Sequence, residues 1–141
     1  MAFSTILFSK QEHIATLTFN RPQKLNAGNE LMWGETVAAL EDAAADSDIR
    51  VLLVTGTGRA FCVGADLSSG PSGEQIVERH NPLALQAGLR SGPQQITRLL
   101  HNMEKPTIAM VNGDAVGAGF DFALACDIRF GSEKTRFMVA F

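Results

Sequence analysis

The sequence predicts an α/β domain with a largely parallel sheet, and three observations lead to that class. Two short apolar runs, Val51 to Thr55 and Thr107 to Val111, lie between turn signals, as strands covered on both faces do. Helical patterns precede and separate these runs. Strands that alternate with helices pair in parallel, because each crossover helix returns the chain to the end of the sheet where the previous strand began. A chain of 141 residues has the length of one domain.

The first predicted elements are a strand from Ile14 to Phe19 and the helix that follows it. The strand is rich in β-branched residues, and Asn20-Arg21-Pro22 ends it. Asn29 is a suitable N-cap for a helix that runs from Glu30 to about Ala45. One apolar stripe recurs at helical spacing along this helix and is expected to face the core: Trp33, Val37, Leu40 and Ala44.

A second helix and a long connection lie between the two buried strands. Pro93 suits the first helical position, and the next apolar residues share one face: Ile96, Leu99, Leu100 and Met103. The stretch from Ser68 to Gly92 has Gly-Pro pairs near both ends and a weakly helical middle. Its leucines favour a lid over an apolar pocket, with a surface excursion as the equal alternative: Leu83, Leu85 and Leu89.

Two further strands are predicted near the end of the chain. Cys126 to Phe130 and Arg136 to Phe141 both have the β-branched and aromatic composition of strands. The sequence stops inside the second strand, which indicates a truncated protein. Apolar edges such as Phe137 to Phe141 would then be exposed and prone to association.

The composition argues against several classes of protein. Apolar residues make up 45% of the chain and charged residues 19%, the balance of a globular protein. No apolar run approaches the length of a membrane span, and the N-terminus lacks the basic start of a signal peptide. The net charge of -3 argues against nucleic-acid and anionic-membrane partners. Two cysteines and three histidines form neither a disulfide framework nor a metal-site pattern, so the prediction is a reduced, cytoplasmic protein.

Two glycine-containing segments follow the two buried strands and are the candidate sites. The first begins with Gly56-Thr57-Gly58, but a dinucleotide-binding turn would need a third glycine where Phe61 stands. No acidic residue follows at the spacing that a ribose hydroxyl requires. This segment therefore argues against a nicotinamide cofactor.

The second segment, Gly117-Ala118-Gly119, begins a predicted buried helix. Free N–H groups in a first helical turn stabilise a developing negative charge. Asp121 lies three positions after Ala118, so its carboxylate projects from the same face. An oxyanion donor beside a carboxylate is what proton abstraction next to a carbonyl needs. On these residues alone, the alternative that Asp121 only complements its helix N-terminus stays open.

Three separated motifs, taken in order, resemble those of the crotonase superfamily, the enoyl-CoA hydratase/isomerase group. They are Asn20 to Ala27, Arg59 to Leu67, and the segment from Lys105 through Asn112-Gly113 and Gly117-Ala118-Gly119 to Asp127. The resemblance covers essentially the whole chain. It implies a crotonase-like (ClpP/crotonase) spiral of ββα units. Residues 1–141 would form its acyl-CoA-binding core, with the C-terminal oligomerisation helices absent.

The resemblance implies an acyl-CoA thioester as substrate, with its oxygen between the backbone N–H groups of Ala65 and Ala118. It implies no separate cofactor, because coenzyme A is part of the substrate, and a homo-oligomer (trimer or hexamer) in the full-length form. Lys24 and Arg59 would meet CoA phosphates, with solvated surface charges as the equal alternative. The implied substrate-binding positions are Lys24, Ala27, Val63, Gly64, Ala65, Asp66, Leu67, Gly117 and Ala118.

Two departures from the family pattern bear on the reaction. Family hydratases use two glutamates, and this chain has Asp121 at the first position and Phe141 at the second. Adding water requires groups that activate water and deliver a proton, whereas one group suffices to move a double bond. The resemblance therefore favours isomerisation with Asp121 as the acid/base. Hydration and a non-catalytic CoA- or protein-binding domain are the alternatives.

Overall fold

The chain forms two β-sheets connected by helices. The structure, a computed structural model, describes residues 3–69 and 82–140. The strands are β1 (Ile6–Gln11), β2 (Ile14–Phe19), β3 (Val51–Gly56), β4 (Ala60–Cys62), β5 (Thr107–Val111), β6 (Asp114–Val116), β7 (Ile128–Gly131) and β8 (Arg136–Met138). The α-helices are α1 (Glu30–Ala45), α2 (Pro82–Ser91), α3 (Pro93–His101) and α4 (Ala118–Ala125). Short 3-10 turns span Pro22–Lys24 and Leu67–Ser69.

The larger sheet has the order β1-β2-β3-β5-β7, and the smaller sheet has the order β4-β6-β8. Only the β1–β2 hairpin is antiparallel among these described strands; the other pairs are parallel. The successive pairs β3–β4, β5–β6 and β7–β8 each give one strand to each sheet. This repetition confirms the predicted parallel α/β class and is the arrangement that a spiral of ββα units requires.

Four aromatic side chains join both sheets to two helices in the core. The ring of Phe19 on β2 lies 5.5 Å from that of Phe61 on β4 and 6.1 Å from that of Phe122 on α4. The Trp33 ring on α1 lies 5.6 Å from that of Phe122, edge to face. All four residues are buried, which confirms the core role predicted for Trp33. The cluster fixes β4 and α4, the two elements beside the candidate site, against the larger sheet.

Helix α1 has the predicted bounds, and three of the four residues of the predicted stripe lie in or against the core: Trp33, Val37 and Leu40. Asn29 is its N-cap, and the Asn29 side chain accepts a hydrogen bond of 3.0 Å from the Met32 N–H. Ala44 is exposed, which corrects its place in the stripe. Apolar residues surround much of this helix, so spacing alone does not choose the face, and exposing a small alanine costs little. The buried residues are Met32, Trp33, Thr36, Ala39, Leu40 and Ala43.

The last two predicted strands are shorter than the sequence suggests. Strand β7 begins at Ile128 because Cys126 still serves as the C-cap of α4. Strand β8 ends at Met138, and Phe141 lies outside the described residues.

Both cysteines are buried, and burial raises the pKa of each thiol to about 12.

The long connection contains a helix in its second half. Helix α2 occupies Pro82–Ser91, and Leu83 and Leu89 on it are 74% and 41% exposed. Residues 70–81 and the Leu85 side chain lie outside what the structure describes, so the lid stays a prediction. In the described ranges no helix combines the length and apolar character that crossing a bilayer requires.

Candidate active site

The loops that follow β4 and β6 meet at one end of the smaller sheet. Strands β4 and β6 are parallel neighbours, so the loops that follow them leave the sheet on the same side. Gly64 has φ 87°, and a Cβ on it would lie 3.0 Å from the Val116 carbonyl oxygen and 3.5 Å from the Ala118 nitrogen. The loop that carries Ala65 therefore packs directly against the start of α4, and glycine at position 64 permits the approach.

The N–H of Ala65 points away from the segment that holds its loop. The Gly28 N–H donates to the Gly64 carbonyl (2.8 Å), and the Asp66 N–H donates to the Gly28 carbonyl (2.9 Å). These two bonds make a parallel bridge between Gly28 and Ala65. In such a bridge the middle residue, here Ala65 between Gly64 and Asp66, directs its own N–H away from the partner segment.

The amides of Ala65 and Ala118 both lack an acceptor within residues 3–69 and 82–140. Ala118 is the first residue of α4, where an N–H has no partner inside the helix. Gly117 precedes it with φ 53°, a conformation that glycine adopts without strain. The predicted pair of donors thus lies on adjacent loops, and the described residues leave both hydrogens without an acceptor.

Asp121 lies one turn into α4, half-buried, and its own N–H donates to the Gly117 carbonyl at 3.0 Å. Burial raises the pKa of its carboxyl above the ordinary value. In the described part of the chain no side chain forms an ion pair with this carboxylate. A desolvated carboxyl with a raised pKa is a stronger base when ionised, as proton transfer requires.

A buried asparagine holds the turn after β2 against the start of β4 and the connection that precedes it. Asn26 is fully buried, and its Nδ2 donates to the carbonyls of Thr57 (3.0 Å) and Ala60 (2.8 Å). Its Oδ1 accepts from the Arg21 N–H at 2.9 Å. Asn26 has φ 58°, which asparagine tolerates better than most residues. Sequence reasoning quoted Asn26 within a motif but gave it no role; its place directly after a proline-containing turn was the available signal.

The other predicted binding residues differ in exposure and in hydrogen-bond partners. Lys24 is exposed, and its Nζ donates to the Ser68 Oγ at 2.7 Å. The Asp66 carboxylate, in contrast, is held by Arg21 at 2.9 Å. The remaining positions range from buried Ala27 and half-buried Val63 to exposed Leu67 and Arg59. Among the described residues, none of the acidic, histidine and cysteine side chains form a group suited to a metal ion.

The sequence model for the enoyl-CoA hydratase/isomerase family matches residues 9–141. The chain belongs to this family. Its relatives include the 2,3-dehydroadipyl-CoA hydratase of Escherichia coli, 38% identical over 134 residues that cover 95% of this chain and 49% of the relative. The 1,2-epoxyphenylacetyl-CoA isomerase of the same organism is 36% identical over 145 residues, covering 96% and 50%. The chain thus spans about half the length of the curated relatives it matches.

Solved structures of family members have the same fold. An enoyl-CoA hydratase/carnithine racemase from Magnetospirillum magneticum has a TM-score of 0.86 at 32% identity, covering 98% of this chain and 50% of that one. An enoyl-CoA hydratase/isomerase from Xanthobacter autotrophicus Py2 has a TM-score of 0.85 at 33% identity, covering 98% and 49%. These likenesses confirm the crotonase-like fold that the motifs implied.

Proposed function

We propose that the protein binds an acyl-CoA thioester and moves a double bond along its acyl chain. The observation that carries the proposal is the pair of amides, Ala65 and Ala118, without an acceptor among the described residues, with half-buried Asp121 in the first turn of the helix that Ala118 begins. The thioester oxygen would accept both N–H groups. Each such donor is typically worth about 2.7–4 kcal/mol to a developing oxyanion.

Asp121 supplies the proton transfer in this proposal. As a carboxylate it takes a proton from the carbon next to the thioester carbonyl, and the electron pair moves onto the oxygen that the two amides hold. The resulting enolate collapses as the same carboxyl returns the proton to the carbon two positions further along. No water is consumed, and the double bond moves by one position. Burial suits the first step, because the raised pKa makes the ionised Asp121 a stronger base for the proton next to the carbonyl.

The proposal assigns substrate binding to the positions that the family resemblance implied. They are Lys24, Ala27, Val63, Gly64, Ala65, Asp66, Leu67, Gly117 and Ala118. Lys24 and Arg59 would meet the phosphates of coenzyme A, and no separate cofactor is required. The proposal also includes a cytoplasmic homo-oligomer, a trimer or hexamer, for the full-length form.

Hydration is the second candidate, because family relatives of similar identity include a 2,3-dehydroadipyl-CoA hydratase. It would require a second acid, and the resemblance places that position at Phe141, outside the described residues. Assays on a 3-enoyl-CoA and a 2-enoyl-CoA substrate separate the two reactions. The first reports double-bond movement and the second reports water addition.

The deciding experiment replaces Asp121 with alanine. We expect turnover of the 3-enoyl-CoA to fall by about 10² to 10⁴, the usual contribution of a positioned acid/base. Affinity for butyryl-CoA, measured by isothermal titration, should stay within about threefold, since the two amides remain. Asp42→Asn is the matched control, because it removes a carboxylate that is paired with Lys10 at 2.7 Å, toward the far end of α1.

Full activity in the Asp121→Ala protein would remove Asp121 from the mechanism. Tight binding of butyryl-CoA by the unaltered protein, with no turnover of either substrate, would favour the non-catalytic alternative. Turnover of the 2-enoyl-CoA alone would favour hydration.

A further inference from the structure

A buried ion pair joins the two segments that form one side of the proposed site. Arg21 lies in the turn after β2, and Asp66 directly follows Ala65. The Arg21 Nη2 lies 2.9 Å from the Asp66 Oδ2, and the two side chains are only 14% and 5% exposed. Charged side chains are seldom buried to this extent unless they are paired.

Further hydrogen bonds fix both members of the pair. The Nη1 of Arg21 donates to the Ala27 carbonyl, so one guanidinium spans both segments. The Asp66 Oδ1 accepts from the Ser68 N–H at 3.0 Å and from the Ser68 Oγ at 2.6 Å. The hydrogen bond from Ser68, and after it that from Arg21, holds the pKa of Asp66 far below its usual range. The carboxylate therefore stays ionised at neutral pH.

The ion pair acts on the same stretch of backbone as the Gly28–Ala65 bridge. Gly64 and Asp66 are each hydrogen-bonded to Gly28, at 2.8 and 2.9 Å, and Ala65 lies between them. Two bonds at one side leave the peptide free to tilt about the line that joins them. The Asp66 side chain supplies a third anchor, one residue away from the amide that must be aimed.

We infer that the Arg21–Asp66 ion pair positions the Ala65 amide for the thioester oxygen; this inference rests on the proposed function. Arg21 and Asp66 are positioning residues that act through the main chain; the Asp66 carboxylate is engaged by Arg21 and Ser68, so the substrate contact proposed for position 66 would be made by its backbone. A catalytic donor has to hold its geometry to within about 0.5 Å and 10–20°. An ion pair that is buried and hydrogen-bonded on both sides supplies that rigidity at the point where the loop turns.

The test replaces Asp66 with asparagine and uses Asp46→Asn as a matched control. Asp46 shares two kinds of partner with Asp66: a cation on one oxygen (Lys10, 2.8 Å) and the N–H two residues on (Asp48, 2.9 Å) on the other. It follows the last residue of α1, whose 16 residues place it about 24 Å from the Gly28 end. Any general effect of removing such a carboxylate will appear in both variants.

The direct readout is the infrared carbonyl frequency of butyryl-CoA, labelled with ¹³C at the thioester carbon and bound to the protein. Two aimed amides polarise this bond and lower its frequency. We expect Asp66→Asn to lose a large part of that shift and about tenfold in kcat, less than the 10²–10³ lost with a whole donor. KM should change by no more than about threefold, and Asp46→Asn should keep both the shift and kcat.

Arg21→Lys provides a second variant that keeps the charge. A lysine ammonium lacks the planar fork that reaches Asp66 and Ala27 together, so the carbonyl shift should be intermediate. If Asp66→Asn does not fold, this variant decides. A carbonyl shift equal to that of the unaltered protein overturns the inference.

The remaining outcomes are distinguishable. An unaltered protein that binds butyryl-CoA without any carbonyl shift contradicts the proposed function, and the inference falls with it. A shift in the unaltered protein that persists in Asp66→Asn overturns the inference alone. Equal losses of kcat in Asp66→Asn and Asp46→Asn also overturn it, since the effect would then be general.

Discussion

The carboxyl group of Asp121 is half-buried, and burial disfavours its ionised form. Burial is the cause of its raised pKa, and in the described residues no cation is paired with it. The unfolded chain ionises this carboxyl at a lower pH than the folded chain does. The folded protein therefore loses free energy of unfolding as the pH rises from the unfolded pKa through the folded pKa.

This sign leads to a prediction for Asp121→Asn, which keeps the size of the side chain without its charge. At pH 7 the variant should unfold at a temperature higher by about 1–3 °C, because the penalty for a buried charge is gone. Near pH 3, below the ordinary Asp pKa of about 3.9, the difference should vanish, since the carboxyl is then protonated in both states. Calorimetry at both pH values measures it.

A gain in the melting temperature that is equal at pH 3 and pH 7 would contradict this account. A loss at pH 7 would show that the carboxylate is stabilised in the folded chain. Combined with the loss of turnover expected for Asp121→Ala, a gain at pH 7 would mean that the site retains a group that costs stability.

Part of the candidate site can be predicted from residues and part cannot. Ala65 and Ala118 follow glycines in recognisable motifs, and backbone amides need no particular side chain. Arg21 and Asp66 are 45 positions apart, and nothing local in the sequence indicates their contact. The ion pair and the Gly28–Ala65 bridge join the same two segments, which follow β2 and β4 and meet only when those strands have their places in the two sheets.

At the scale of elements, Gly28 joins the proposed site to the core. An added Cβ at Gly28 would lie 1.9 Å from the Trp33 ring, so that side chain occupies the space that any other residue would need. Trp33 in turn contacts Phe122 on α4, the helix that carries Asp121. The Trp33 ring therefore contacts both the Gly28 segment and the helix that carries Asp121.

Gly28→Ala should lower the free energy of unfolding by about 1–3 kcal/mol, because the methyl group and the Trp33 ring compete for one volume. Trp33→Leu makes room, so the double variant should be less destabilised than the sum of the two single changes. Gly34→Ala is the control: its added Cβ meets no atom within 4 Å in α1, and it should gain about 0.5–1 kcal/mol. Urea unfolding at unchanged m-value measures the free energy of unfolding of the two single variants, the double variant and the control. Strict additivity of the two single changes would contradict the steric account.

Elements differ in how well their sequence marks them. Continuous apolar runs that end at turn residues mark β2, β3 and β5, and their predicted bounds are correct to within one residue. Strands β4 and β6 have three residues each and lie inside glycine-containing segments, so no periodicity distinguishes them from loops. Strand β1 was also missed, since Ser9, Lys10 and Gln11 make half of it polar, as an edge strand permits.

At the scale of the whole molecule, each of the two sheets ends in an exposed apolar strand. Strand β7 is last in the order of the larger sheet and β8 is last in that of the smaller sheet. Every residue of both strands is exposed. The apolar ones among them, with the next residue, are Ile128, Phe130, Phe137, Met138 and Val139.

Such edges present unpaired backbone groups together with apolar side chains, and both favour pairing with another chain. We expect the 141-residue chain to self-associate in a concentration-dependent way, seen as rising sedimentation coefficients. Phe130→Lys combined with Met138→Lys should suppress this, because lysine on an edge opposes strand addition. These side chains are 61% and 59% exposed, so the changes cost the monomer little.

Leu31→Lys is the control, since Leu31 is 54% exposed on α1, away from both edges. A monodisperse monomer at all concentrations, or equal suppression by Leu31→Lys, would show that these edges do not drive association.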